Sequence, residues 1–170
     1  IDLQLNWPFN VAAFKLLASL DGRSPTDYLA FAHEKRPFER GCTGYFKGKL
    51  FPEAFYNIPA WGDEAIRTTG FPSKADYQIW MRKERFPVLT SWIEKCRPKL
   101  IIGLGLTHAD DFLTVAQASE LAEERSFEVN GHSKRMFTTQ SGLVPLAILP
   151  HLTGGPNGLN SNEAIAVAAQ

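Results

Sequence analysis

Two short apolar runs do most to limit what this chain can become. The first is Leu100-Ile101-Ile102-Gly103-Leu104-Gly105, introduced by Lys99. The second is Leu143-Val144-Pro145-Leu146-Ala147-Ile148-Leu149. A strand with one wet face alternates apolar and polar residues. A run with no polar position suits a strand covered on both faces, as in the parallel sheets of α/β proteins. Between the two runs, Thr107 caps a helical pattern extending to about Glu124. Phe127-Glu128-Val129 and Met136-Phe137-Thr138-Thr139 then flank Asn130-Gly131. That dipeptide favours a two-residue hairpin turn, because both of its positions tolerate positive φ. The second run ends at Pro150-His151. A loop rich in Gly, Pro and Asn over residues 152–160 follows, then a helix over 162–170 capped by Ser161, with Glu163 in its first turn.

Upstream, Asn10 is expected to cap a helix over residues 11–20, with Asp21-Gly22 as its stop. Ser24-Pro25-Thr26-Asp27 is turn chemistry. The stretch carrying His33, Lys35, Arg36, Arg40, Lys47 and Lys49 reads as loop with short irregular pieces, punctuated by Gly41, Gly44 and Gly48. Residues 51–58 are a candidate strand closed by Pro59, and 63–74 read as loop. Helical patterns occupy 75–85 and 87–96, with Pro87 in a helix-starting position and Arg97-Pro98 ending the second. Strands alternating with helices predict an α/β domain: three layers, α/β/α, around a mainly parallel sheet.

The 170 residues fit one domain, and 44% hydrophobic content is ample for a core. Lys and Arg number 18, as do Asp and Glu, so any basic footprint must be local. No apolar run approaches the roughly 18 residues of a membrane helix. No leader peptide is visible, so the expected compartment is the cytosol, or the nucleus in a eukaryote. Cys42 and Cys96 alone cannot build a disulfide framework, a four-thiolate zinc site or an iron–sulfur cluster. Neither His108 nor His132 has zinc-ligand spacing. No metal and no cofactor are expected.

Ligands of open α/β sheets bind beyond the carboxyl ends of strands. Three such ends carry polar or glycine signals: Tyr56-Asn57-Ile58-Pro59, Gly103-Leu104-Gly105, and Leu149-Pro150-His151. The Asn57 amide offers a donor and an acceptor that can read a base edge. His151 offers a ring donor or acceptor, depending on tautomer. Each also has a plain structural reading, Asn57 as a turn residue and His151 as a satisfied histidine. Gly103-Leu104-Gly105 lacks the third glycine of a dinucleotide fingerprint. Asp110-Asp111 reads as helix surface, since neighbouring helical residues diverge by about 100°.

The order of these pieces resembles the uracil-DNA glycosylase superfamily, most of all its single-strand-selective monofunctional type. Trp7-Pro8-Phe9-Asn10 before a helix is similar to the aromatic segment that stacks a flipped base. Gly44-Tyr45-Phe46 with Pro52-Glu53-Ala54-Phe55-Tyr56-Asn57 resembles the approach to the base-reading asparagine. Residues 100–105 are similar to the family's central strand, and 146–151 with the loop after them resemble the strand and loop of the catalytic histidine. Leu152-Thr153 stands where the family usually has Pro-Ser. The family's four-cysteine cluster is absent here, as in its cluster-free branches. The family's first motif, a strand and glycine-rich turn with a water-positioning Asn or Asp, would fall before Ile1. A single glycosylase-like domain over 1–170 that lacks this opening segment is expected to bind DNA but hydrolyse poorly.

The resemblance implies a monofunctional DNA-repair hydrolase. It would cleave the N-glycosidic bond of uracil, or of a related deaminated base, after base flipping. Phe9 would stack on the base, Asn57 would read its edge, and His151 would stabilise the departing anion. The loop residues Leu152, Thr153, Gly154, Gly155, Asn157 and Leu159 would meet DNA, with Leu152 or Leu159 as an apolar wedge. Backbone contacts would come from Lys35-Arg36, Lys47/Lys49, Arg82-Lys83 and Lys134-Arg135. The implied partner is damaged DNA, with no membrane and a monomeric protein. The competing readings are a weak or inactive nucleic-acid-binding module on the same pocket, a glycosylase for another damaged base, and an unrelated α/β small-molecule enzyme.

Overall fold

A computed structural model describes residues 1–52, 61–120 and 123–170. The element order is α1 (Asp2–Leu5), α2 (Pro8–Leu20), α3 (Tyr28–Lys35), α4 (Asp63–Thr69), α5 (Lys74–Glu84), α6 (Phe86–Cys96), β1 (Ile101–Leu104), α7 (Ala109–Ala116), β2 (Glu123–Val129), β3 (His132–Thr139), β4 (Leu146–Leu149) and α8 (Asn162–Ala168). The fold is α/β, with most of the helix preceding the sheet.

The sheet runs in the order β1-β4-β3-β2. β1 and β4 are parallel, with Ile101 opposite Leu146 and Leu104 opposite Leu149. β3 pairs antiparallel with both β4 and β2. The sheet is therefore mixed, which corrects the expectation of a mainly parallel one. The cause is connection length. Asn130 and Gly131 take φ of 54° and 73°, a two-residue turn that closes β2 and β3 as a hairpin. The few residues between β3 and β4 also fall short of the dozen or so that a parallel crossover requires. Only the pair of fully apolar runs is parallel.

Side-chain alternation on β4 assigns its two faces. Leu149 and Ala147 join a core with Ala12, Ala13 and Leu16 of α2 and Ala164, Ile165 and Ala168 of α8. Leu146 and Ile148 join a second core with Ala116, Phe112 and Leu113. A strand buried on both sides has no polar position to offer, which is the pattern its sequence displays.

Several local readings shift. α2 starts at Pro8, with Trp7 as its extended N-cap residue, because proline suits the first helical position. Asn10 is thus inside the helix and buried, not its cap. Residues 28–35, read as part of an irregular stretch, form α3, which buries Phe31 and Ala32. α4 forms within 63–74, behind Gly62 and ending at Gly70 in the left-handed region. α7 stops at Ala116, well short of Glu124, because Gln117 turns left-handed at φ 53°. α5, α6 and α8 form close to their expected bounds. Ser73 and Ser161 cap α5 and α8 by accepting from Asp76 N and Ala164 N, each at 3.1 Å. The expected strand over 51–58 lies largely outside the described residues; Phe51 and Pro52 are in no strand.

Candidate functional site

β1 and β4 end side by side, and the Gly105 N–H donates to Leu149 O at 2.9 Å. Pro150 and His151 follow immediately, so the chain leaves the sheet where α/β ligand sites form. His151 is exposed. Its ring lies 5.7 Å from the ring of Phe9, tilted by 47°. The early aromatic segment and the late histidine thus meet beyond the end of β4.

The His151 ring is held by its own loop. The Thr153 N–H donates to Nδ1 at 3.2 Å, and Thr153 Oγ lies 3.3 Å from the same atom. An N–H only donates, so this bond favours the tautomer in which Nδ1 accepts and Nε2 carries the proton, while Thr153 O, also 3.2 Å from Nδ1, would accept from it in the other tautomer. The loop is closed by Leu159 N donating to His151 O at 2.9 Å, and Asn160 Nδ2 donates to Gly155 O at 2.9 Å. Gly158 has no substitute here. A Cβ at that position would lie 2.1 Å from Gly154 O and 2.9 Å from His151 O.

Leu152 and Leu159 are 1% and 0% exposed, packed in the core shared with α2 and α8. This corrects their expected role as a wedge. Burying such a side chain contributes about 1.5–3 kcal/mol, and a leucine inserted into DNA would forgo that. The exposed residues of the loop are Thr153, Gly154, Gly155, Pro156, Asn157 and Asn160. Asn57 lies outside the described residues.

A residue the sequence reading left in a generic basic cluster also belongs to the site. Lys47 Nζ donates to Asn10 Oδ1 at 2.8 Å and sits 5.8 Å from the centre of the Phe9 ring and 5.2 Å from that of Phe38. Burial pushes the Lys47 ammonium below its ordinary pKa, and the nearby charge of Lys49 adds to the effect. Two rings followed by a lysine was the available signal, but nothing in the spacing linked residue 47 to residue 9.

Of the other expected DNA-backbone clusters only Lys134 is buried; Arg36, Arg82, Lys83 and Arg135 are exposed, several of them in ion pairs. Lys35 pairs with Glu34, and Arg36 with Glu39. Lys134 is 4% exposed and donates to the loop carbonyls of Pro156 and Gly158, each at 2.7 Å. Arg82 donates from Nε and Nη2 to the two oxygens of Asp111 at 2.6 and 3.1 Å. His108 Nδ1 is 3.0 Å from the same carboxylate. Asp111 is buried, not helix surface. Burial pushes its carboxyl up, and the bonds from Arg82 and His108 outweigh that and hold it below the usual range. Phe51 stacks against both His108 and Arg82, which joins the residues after β1 to α5.

Among the described residues no group of three or more His, Cys, Asp or Glu side chains is arranged to hold a metal, and no helix is long and apolar enough to cross a membrane. Compared with known proteins, the chain matches no family model, no curated protein and no solved structure.

Proposed function

We propose that this protein is a uracil-DNA glycosylase-like hydrolase acting on uracil, or a related deaminated base, flipped out of DNA, with the sheet as the middle of three layers. The observation that carries this reading is the 5.7 Å approach of Phe9 to His151. These two residues, far apart in the chain, are the ones to which the resemblance gives the stacking and leaving-group roles.

In this reading the flipped base stacks on Phe9, a contact of about 1–3 kcal/mol that does not depend on base identity. Discrimination then falls to Asn57, whose amide donates to O4 and accepts from N3–H of uracil. Cytosine would meet that amide with the wrong donors. As the C1′–N1 bond breaks, its electron pair moves onto the base, and negative charge grows on O2. His151 Nε2–H donates to that oxygen. A neutral donor fixed in advance by Thr153 needs no reorganisation when the charge appears. Water adds to C1′ and gives up a proton, and the departing base anion takes one up, leaving the free neutral base and an abasic site. The exposed tip of residues 153–157 meets the DNA through backbone and small side chains.

The test is incubation of the full chain with single- and double-stranded oligonucleotides carrying one uracil, with alkali cleavage at the resulting abasic site as readout. Slow but measurable excision that is abolished in His151→Ala supports the reading. Tight binding of uracil-containing DNA without excision replaces it with a nucleic-acid-binding module on the same pocket. Neither binding nor excision overturns it.

A further inference from the structure

Lys134 is the most deeply buried charged side chain of the sheet, and it serves the loop that carries His151. Its position on β3, two residues before Met136, directs it to the face that holds α2, α8 and the loop. A buried ammonium is costly unless its donors are satisfied. Here both hydrogen-bond partners are carbonyls of one loop, Pro156 O and Gly158 O, each at 2.7 Å. Gly158 in turn is packed against the carbonyls of Gly154 and His151, and its neighbour Leu159 donates back to His151 O. A displacement of Gly158 is therefore passed to the backbone of His151 and Gly154, the residues that bracket Thr153, whose N–H donates to the ring.

We infer that Lys134 is a positioning residue for His151: its ammonium gathers the Pro156 and Gly158 carbonyls and so sets the geometry in which the loop presents the imidazole. The carbonyls of a glycine-rich loop would otherwise turn to water, and the loop would sample many shapes. A cation on β3 converts it into a fixed turn. Lys134 thereby leaves the set of residues available to DNA phosphates. The rate consequence rests on the glycosylase reading; the structural consequence does not.

Two measurements test this. In the wild-type protein, nitrogen-15 spectra should contain a slowly exchanging Lys134 ammonium, a state that exposed lysines do not give. In Lys134→Met the His151 ring signals should lose the Nε2-protonated pattern. The Leu159 amide should exchange about tenfold faster or more, and His33 on α3 should be unchanged. Single-turnover uracil excision should fall by about tenfold or more, with the salt dependence of DNA affinity unaltered. A folded Lys134→Met protein with wild-type His151 signals and Leu159 protection overturns the inference. So does a salt slope reduced by about one, the mark of a lost phosphate contact. If Lys134→Met does not fold, the wild-type ammonium decides: rapid exchange with water overturns the inference. Absence of excision by the wild-type protein, with the spectroscopic result intact, counts against the glycosylase reading alone.

Discussion

The backbone N–H of Thr153 donates to His151 Nδ1 across 3.2 Å, a bond that favours the ring tautomer with its proton on Nε2. Thr153 Oγ is within 3.3 Å of Nδ1 and can act as a second donor, whereas Thr153 O, at 3.2 Å, would accept from Nδ1 only when that atom carries a proton, as in the opposite tautomer. Nitrogen-15 spectra of histidine-labelled protein above the imidazole titration range should therefore show His151 protonated at Nε2. Thr153→Ala keeps the backbone donor and should keep that tautomer. A majority of Nδ1–H in wild-type protein would refute the assignment.

His151→Ala removes the donor at an exposed ring whose contacts are to Phe9 and Thr153 and which is not part of the buried core. Removal of one preorganised donor costs on the order of 10²–10³ in the chemical step. Single-turnover kinetics should fall by that factor with DNA affinity nearly unchanged. A loss confined to affinity would make His151 a DNA contact instead.

Phe9→Ala should weaken binding to DNA with a flipped or mismatched uracil by about 1–3 kcal/mol, while Phe9→Tyr retains most of it. Equilibrium binding measures this directly. Phe9 also packs against the α2–α8 core, so thermal stability must be followed in parallel. A loss of stability with unaltered affinity would reduce Phe9 to a packing residue.

The parts of this fold legible in the sequence are those specified locally. Ser161 caps α8 because its hydroxyl accepts from the N–H three residues on, and Asn130-Gly131 turns because both positions tolerate positive φ. The parts that escaped depend on what lies across the molecule. Neighbouring helical residues diverge by about 100°, which argues against a paired site at Asp110 and Asp111 without putting both at the surface. That divergence separates them: Asp110 faces water, and Asp111 turns inward to Arg82. In the same way, loop leucines at 152 and 159 look free in sequence, but α8 folds back and buries them. The resemblance gives Phe9 and His151 separate roles around one flipped base, and nothing local in the sequence joins Lys47 to either.

Leu159→Ala should therefore act on stability and not on DNA distortion. Truncating a fully buried leucine costs about 2–5 kcal/mol, measurable by urea denaturation. Leu152→Ala belongs to the same class. A DNA-unstacking defect in either variant at unchanged stability would restore the wedge.

The Asp111 ion pair makes acid stability the last test. Its folded-state carboxyl is held below the ordinary value of 3.8, because the bonds from Arg82 and His108 outweigh the burial that pushes it up. A depressed folded-state value means that the unfolded chain binds the proton more readily. The stabilisation is therefore fully present above the ordinary carboxylate range and is lost as pH falls through the lower, folded-state value. Asp111→Asn should destabilise the protein at neutral pH by about 1–3 kcal/mol, a range set by hydrogen bonds to a charged group and moderated because Arg82 reaches solvent. Its stability should then vary less with pH below the ordinary carboxylate range than that of the wild type. The measurement is urea denaturation from neutral pH down into the acid range. Parallel curves for the two proteins would mean that Asp111 does not couple folding to protons. A variant as stable as the wild type at neutral pH would mean that the bonds to Arg82 and His108 add nothing over a neutral amide.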